Sequence, residues 1–186
     1  SDPNFVTMLP GAIDYAEQRM YRELDLLATR VVDSSASFTV NGRTFTFPTA
    51  QGTFLVVEEI SAITPVGTTA AVGTRNPLVA VSKQFIDAVY PSGSATSGVP
   101  QYFAPLSNTQ VLIGPAADSA YVSEVIGTQR PAALSTTNSS TILTQMLPDA
   151  FIAASMVFVS GYMRDFGGQA DNPAQAQSWD GQYQKL

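Results

Sequence analysis

Apolar residues recur along this chain first with the period of a helix, then with that of a strand, and finally as an unbroken run. Ile13, Ala16, Met20, Leu24 and Leu27 follow at spacings of 3, 4, 4 and 3. That spacing puts them on one face of a helix predicted over 10–27. Pro10 opens this helix, because proline lacks the amide hydrogen that a first turn leaves unpaired. Phe5, Val6, Met8 and Leu9 form an apolar entry turn ahead of it. Asp14, Glu17, Arg19, Arg22 and Glu23 fall off the stripe and read as a solvated face, with Arg19 and Glu23 spaced to pair at i, i+4.

After Thr29 the period falls to two. Ser37–Val40 and Arg43–Phe47 flank Asn41-Gly42, a dipeptide suited to a tight hairpin because both turn residues need positive φ. A two-residue turn pairs Val40 with Arg43, Phe38 with Phe45, and Ala36 with Phe47. Phe38, Val40, Phe45 and Phe47 then share one face, and Thr39, Thr44, Ser37 and Thr46 the other. The aromatic face either covers its own core or lies on a neighbouring subunit, which makes Phe38, Asn41, Gly42, Phe45 and Phe47 a candidate subunit-contact hairpin. A further strand is predicted over Thr53–Thr64 and a small-residue loop over Gly67–Gly73. A helix is expected over Pro77–Val89, where Val81, Phe85, Ala88 and Val89 repeat at helical spacing, followed by a Ser/Gly-rich loop to Gly98. Tyr102–Ala104, Thr109–Ile113 and Ala120–Ile126 are short strands close together, as in an antiparallel meander.

Between Ala150 and Met163 there is no charged residue, and only Ser155, Ser160 and Tyr162 are polar. Pro148 and Asp149 suit a first turn. A helix apolar nearly all round calls for burial on most sides, so 148–166 is predicted as a central core helix. It falls short of the roughly 20 apolar residues a membrane span needs. Gly167-Gly168 ends it and acts as a hinge. Asp171-Asn172-Pro173 starts a last helix. Ala176, Trp179, Tyr183 and Leu186 share a face there, and Trp and Tyr are frequent binding hot spots. These four are candidate contact residues for another protein or a neighbouring copy, with folding of Trp179 onto its own core as the alternative.

The patterns together describe an α+β chain: N- and C-terminal helices packed together, with an inserted antiparallel β region of hairpin plus meander. A single domain is expected, its helical part at 1–29 and 134–186. The β-rich insertion spans 30–133 and carries one helix at about 77–90.

Composition adds a surface. Charged residues make up 13% of the chain, against about 25% on average, so much of the exterior is polar but uncharged, which suits coverage by partners. The net charge of −6 and the absence of any Lys/Arg run argue against gripping phosphates. An acidic surface instead lets DNA pass without sticking. No histidine is present, so the commonest general base and metal ligand are missing. No cysteine is present either, which excludes disulfides, thiolate zinc sites and a cysteine nucleophile. Gly67 and Gly73 are one residue too far apart for a phosphate loop, and Thr74 stands where lysine belongs. Glu58 and Glu59 are neighbours on a strand and point to opposite faces, so they do not act together on one substrate. The N-terminus is polar and lacks the apolar stretch of a secretory signal. From the residues alone, a ligand-binding module of carbohydrate type on the Phe- and Tyr-bearing strands, or a hydrolase with convergent carboxylates, stays open.

Taken in order, several short pieces resemble bacteriophage head-to-tail adaptor (connector) proteins. They begin with Leu9-Pro10, Ile13, Ala16-Glu17, Arg19, Tyr21-Arg22 and Leu24-Asp25-Leu26. Then come Gly98-Val99-Pro100-Gln101-Tyr102, Val111-Leu112-Ile113-Gly114-Pro115 and Asp118-Ser119-Ala120-Tyr121. Pro131, Leu134-Ser135, Thr141, Leu143 and Pro148-Asp149-Ala150 complete the set. The resemblance covers nearly the whole chain, although the C-terminal segment is Gln/Ala-rich where such proteins often carry a more charged helix. It implies a structural virion protein at the head-tail junction, assembled in the host cytoplasm. Such a protein forms a ring, typically of twelve copies, below the portal protein, and passes the DNA channel on to a downstream tail or nozzle protein. It implies no enzymatic activity and no cofactor.

Overall fold

A computed structural model describes residues 3–24, 26–93, 96–163 and 173–186. In chain order the elements are α1 (Pro3–Glu23), β1 (Arg30–Asp33), β2 (Thr44–Thr46), β3 (Gly52–Thr64), β4 (Thr74–Pro77), β5 (Val79–Ala80), α2 (Lys83–Val89), β6 (Ser97–Gly98), β7 (Tyr102–Pro105), β8 (Gln110–Gly114), β9 (Ala116–Ala117), β10 (Val122–Pro131), α3 (Ile142–Met146), α4 (Pro148–Met163) and α5 (Pro173–Tyr183). The chain is α+β, with helices and mainly antiparallel sheets. It divides into two compact units: a helical unit, Ser1–Leu27 with Ala132–Leu186, and a β unit, Ala28–Pro131.

The β unit holds two four-stranded sheets, ordered β1-β10-β3-β4 and β2-β8-β7-β5, and the short pair β6-β9. Residues of both sheets make one core. Phe45, Phe103, Val111 and Ile113 come from the second sheet, Phe54, Ile60, Ala62 and Val125 from the first, and Phe38 and Phe47 from the connecting segments. Alternation along β7 and β8 sends Ala104 and Leu112 the other way, where Ile86 of α2 covers them. Ser82 caps α2 by accepting from the Phe85 amide at 3.2 Å. The helix predicted over Pro77–Val89 is therefore shorter than expected, because Pro77, Val79 and Ala80 lie in strands.

Asn41-Gly42 does make a tight turn: Asn41 has φ 59°, and the Gly42 amide donates to the Thr39 carbonyl at 2.9 Å. The predicted hairpin ladder does not form. Ser37 bridges Val122, Thr44–Thr46 pair with Leu112–Gln110, and the turn carries the chain from one sheet to the other. Turn chemistry is local, while the ladder went to strands whose apolar faces close the core. Phe38 and Phe45 still touch, with ring centroids 4.8 Å apart, but Val40 leaves their face and is 48% exposed. The predicted three-strand meander also splits. β7 and β8 pair, whereas β10 crosses to the other sheet between β1 and β3. Two register shifts on β10 against β3 leave Leu55 and Glu58 as extra residues. At Gly127, beside one of these bulges, a Cβ would collide with the Val56 carbonyl.

In the helical unit, Ala16 and Met20 of α1, Leu143 of α3, Ala150, Phe151, Ala153 and Ala154 of α4, and Tyr183 of α5 form one core. The small residues let the helix backbones come close. Thr141 and Thr144 make a reciprocal capping box at the start of α3. α1 starts seven residues earlier than predicted and keeps Pro10 inside it. Proline's fixed φ is helical, so the chain loses one backbone hydrogen bond there rather than the helix. Leu27 was expected on the stripe, but it lies in a single 3-10 turn beyond the helix and is exposed. α4 buries Phe151, Ala153, Ala154 and Val159, yet leaves Ile152 57% and Phe158 37% exposed. The run is apolar all round; within this chain it is covered on one side.

Candidate interaction surface

Arg19 ties α1 to α5. Its Nε donates to both carboxylate oxygens of Glu23, at 3.0 and 3.2 Å, and its Nη2 donates to Asp180 Oδ1 at 2.6 Å. The guanidinium carbon sits 4.4 Å from the centroid of the Tyr183 ring, a cation–π distance. Burial works to lower the Arg19 pKa, but the hydrogen bonds to Asp180 and Glu23 outweigh it and the net shift is upward. Burial pushes the Tyr183 hydroxyl up to about 12, and Glu23 adds to the effect. Glu17 is also buried, 1% exposed, and its Oε1 accepts from the Leu134 amide at 3.0 Å.

Two charged residues thus lie where the apolar stripe does not put them. Glu17 and Arg19 were read as part of a solvated face and are buried in the helical unit. A stripe counts apolar positions only, and the partners that draw these charges inward lie far along the chain at Leu134 and Asp180. The i, i+4 spacing of Arg19 and Glu23 was the one visible sign of this cluster.

Of the four candidate contact residues on the last helix, Tyr183 points into its own core and Trp179 is half-buried against it. Leu186 lies past the end of α5 and is 70% exposed. The side chain of Ala176, the Gly167-Gly168 hinge and the Asp171-Asn172 cap lie outside the described residues. Leu186 borders two recesses. One, of about 450 Å³, is lined with Glu23, Leu24 and Leu147; the other, of about 330 Å³, with Ile152 and Trp179. A third groove of about 610 Å³ runs between α1 and the segment around Leu134. Phe158 lies over α1, its ring 5.3 Å from that of Tyr15, and a Cβ added at Gly11 would meet it at 3.9 Å.

Of the candidate hairpin, Phe38, Phe45 and Phe47 are core residues of the β unit, while Asn41 and the half-buried Gly42 of the turn, with Val40, Ser37, Thr39, Thr44 and Thr46, reach the surface. Glu58 pairs with Arg30 at 2.7 Å, and Glu59 accepts from Ser61 Oγ at 3.0 Å. The two glutamates have separate partners. Among the described residues no group of three or more carboxylates converges as a metal site, and no helix is long and apolar enough to cross a membrane.

A family model described as SU10 adaptor protein matches residues 1–186. The chain belongs to that family. Membership in the SU10 adaptor proteins gives it the role of a structural phage adaptor, and it bears out the resemblance to head-to-tail adaptors seen in the ordered motifs. No curated protein matches the chain significantly.

Proposed function

We propose that this adaptor assembles into a ring at the head-tail junction of the virion, where it joins the portal protein to the next tail protein and continues the DNA channel. The observation that carries the reading is the family match over the whole chain. The exposed apolar side chains of the helical unit support it. Ile152, Phe158 and Leu186 are the kind of surface that a protein-protein contact covers. Trp179 and Leu186, on and beyond α5, are assigned to the portal or to the neighbouring subunit. The acidic balance of the chain suits a channel through which DNA slides without being held. The role needs no cofactor and no catalysis.

Measuring particle mass in solution, for the chain alone and with its portal protein, tests this. A ring-sized complex in the presence of portal is the expected result. A monomer under both conditions, with measurable affinity for glycans, would overturn it in favour of a binding module.

A further inference from the structure

The Asn41-Gly42 turn is pinned by its backbone. The Asn41 amide donates to the Ala117 carbonyl at 2.7 Å, and the Gly42 amide donates to the Thr39 carbonyl at 2.9 Å. Asn41 has φ 59°, in the left-handed region that asparagine tolerates better than most residues. Gly93 packs against the same turn: a Cβ added there would come within 2.3 Å of the Asn41 carbonyl oxygen. Gly42 is itself closely placed, since a Cβ on it would stand 2.9 Å from the Thr39 carbonyl oxygen. Asn41 is nevertheless exposed, so water reaches it.

The chemistry of this dipeptide runs against that restraint. An asparagine carboxamide is an electrophile, and the backbone nitrogen of the next residue is the nearest nucleophile. A side chain on that next residue hinders the approach, and glycine has none. Of the chain's asparagines, only Asn41 precedes a glycine. The missing side chain that lets Gly42 lie against Thr39 therefore also leaves its nitrogen open to Asn41 Cγ once the turn loosens. In the folded turn the Gly42 N–H is bound to the Thr39 carbonyl and held against loss to a base, and the Asn41 backbone is fixed on both sides.

We propose that Asn41-Gly42 is a latent modification site, kept intact by the folded turn and converted to isoaspartate when the turn opens. On opening, a solvent base takes the Gly42 amide proton and the nitrogen attacks Asn41 Cγ. The bond from Cγ to the carboxamide nitrogen breaks, ammonia leaves with a proton from water, and a cyclic imide remains. Water then opens the imide. Attack at Cγ gives aspartate; attack at the Asn41 backbone carbonyl carbon leaves the chain running through the side-chain carbon and gives isoaspartate. The net change is uptake of water and release of ammonia, with no oxidant or reductant. Either product adds a negative charge to a chain already at −6. Isoaspartate also adds a methylene to the backbone, between two amides that reach fixed carbonyls. The turn joins Ser37, bridged to Val122, to the strand paired with β8, so the modified chain loses its crossing between the two sheets.

The full chain is held in mildly alkaline buffer, native or in urea, and digested for mass spectrometry after stepped times. In urea the Asn41 peptide should gain the mass of amide-to-acid conversion about tenfold faster than the peptides carrying Asn108 and Asn138. In native buffer the same conversion should be slower than in urea by about tenfold or more, because it waits for local opening. Asp180-Gly181 can form the same imide, but it loses and regains water, so its peptide keeps its mass. Gly42→Ala is read in urea alone, where folding plays no part, and should slow the Asn41 conversion by about tenfold. Conversion as fast in the native chain as in urea would overturn protection by the turn. An Asn41 peptide that reacts no faster than those of Asn108 and Asn138, or whose rate Gly42→Ala leaves unchanged, would overturn the site itself. After dilution out of urea, isoaspartate-bearing molecules should fail to regain hydrogen-exchange protection along β10, and their full recovery would overturn the loss of the crossing.

Discussion

In the β unit, Phe38, Phe45, Phe47 and Phe54 form a chain of ring contacts, with successive centroids 4.8, 6.1 and 5.8 Å apart. They sit in an apolar core closed by two sheets. In the helical unit the same task falls to alanines, Met20, Leu143 and Phe151, with a buried guanidinium and a buried carboxylate beside them. Strand alternation sorts side chains strictly into two faces, so the β unit finishes its aromatic core from its own sequence. A helix apolar on every side has no such sorting. α4 supplies more apolar surface than the helices around it cover, and Ile152 and Phe158 stay in contact with water. The β unit leaves apolar side chains in water as well, with Leu55, Val56, Val72 and Val79 all more than half exposed. The two units thus differ in how their cores are built rather than in whether their apolar surface is all covered.

The contrast is broken hardest at Phe45. Phe45→Ala should cost about 3–5 kcal/mol and act on the β unit, seen as loss of hydrogen-exchange protection along β10. The fluorescence of Trp179, the chain's one tryptophan, should hardly change, because that residue packs in the helical unit. If both signals are lost together, the two units do not unfold separately.

Next in size is Arg19→Met. The Arg19 side chain is well buried, but those of Glu23 and Asp180 are 47% and 38% exposed, so the stranded carboxylates partly rehydrate. About 2 kcal/mol is expected rather than the full penalty for a buried pair. The loss should be read from Trp179 fluorescence in urea, with β10 protection unchanged.

Alkaline titration sharpens the comparison further. Tyr183 holds its proton to about pH 12 when folded, against 10 when unfolded. Its stabilising contribution is therefore complete below pH 10 and is lost as pH rises towards 12. Tyr183→Phe should flatten the fall in helical-unit stability across that window, measured by urea midpoints at stepped pH. Smallest of all is Arg30→Ala. That residue's pair with Glu58 is exposed on both sides, and the urea midpoint should move by no more than about 0.5 kcal/mol.

Sequence patterns located what depends on near neighbours. β3, β8, α4 and the Asn41-Gly42 turn all stand where period and turn chemistry put them. They failed wherever the deciding partner was remote. Thr44–Thr46 pair with a strand more than sixty residues onward rather than across their own turn. Pro77–Ala80 were drawn into two edge strands despite a helical apolar spacing. Arg19 looked solvated because Asp180 lies 161 residues away. The bulges opposite β10 left no pattern either, since only the missing Cβ of Gly127 marks where the Val56 carbonyl approaches.

The register of β1 against β10 bears on the order in which the chain folds. Arg30 lies opposite Thr128, so the two ends of the β unit leave from adjacent strands. Before that ladder forms, α1 and α3 are joined by a loop of about a hundred residues, whose closure costs about 4 kcal/mol from (3/2)RT ln n. Afterwards the helical unit's two segments emerge side by side and that entropy is already spent. Helix packing then becomes a nearly local event, prepared by two strands that contribute nothing to the helical core they bring within reach.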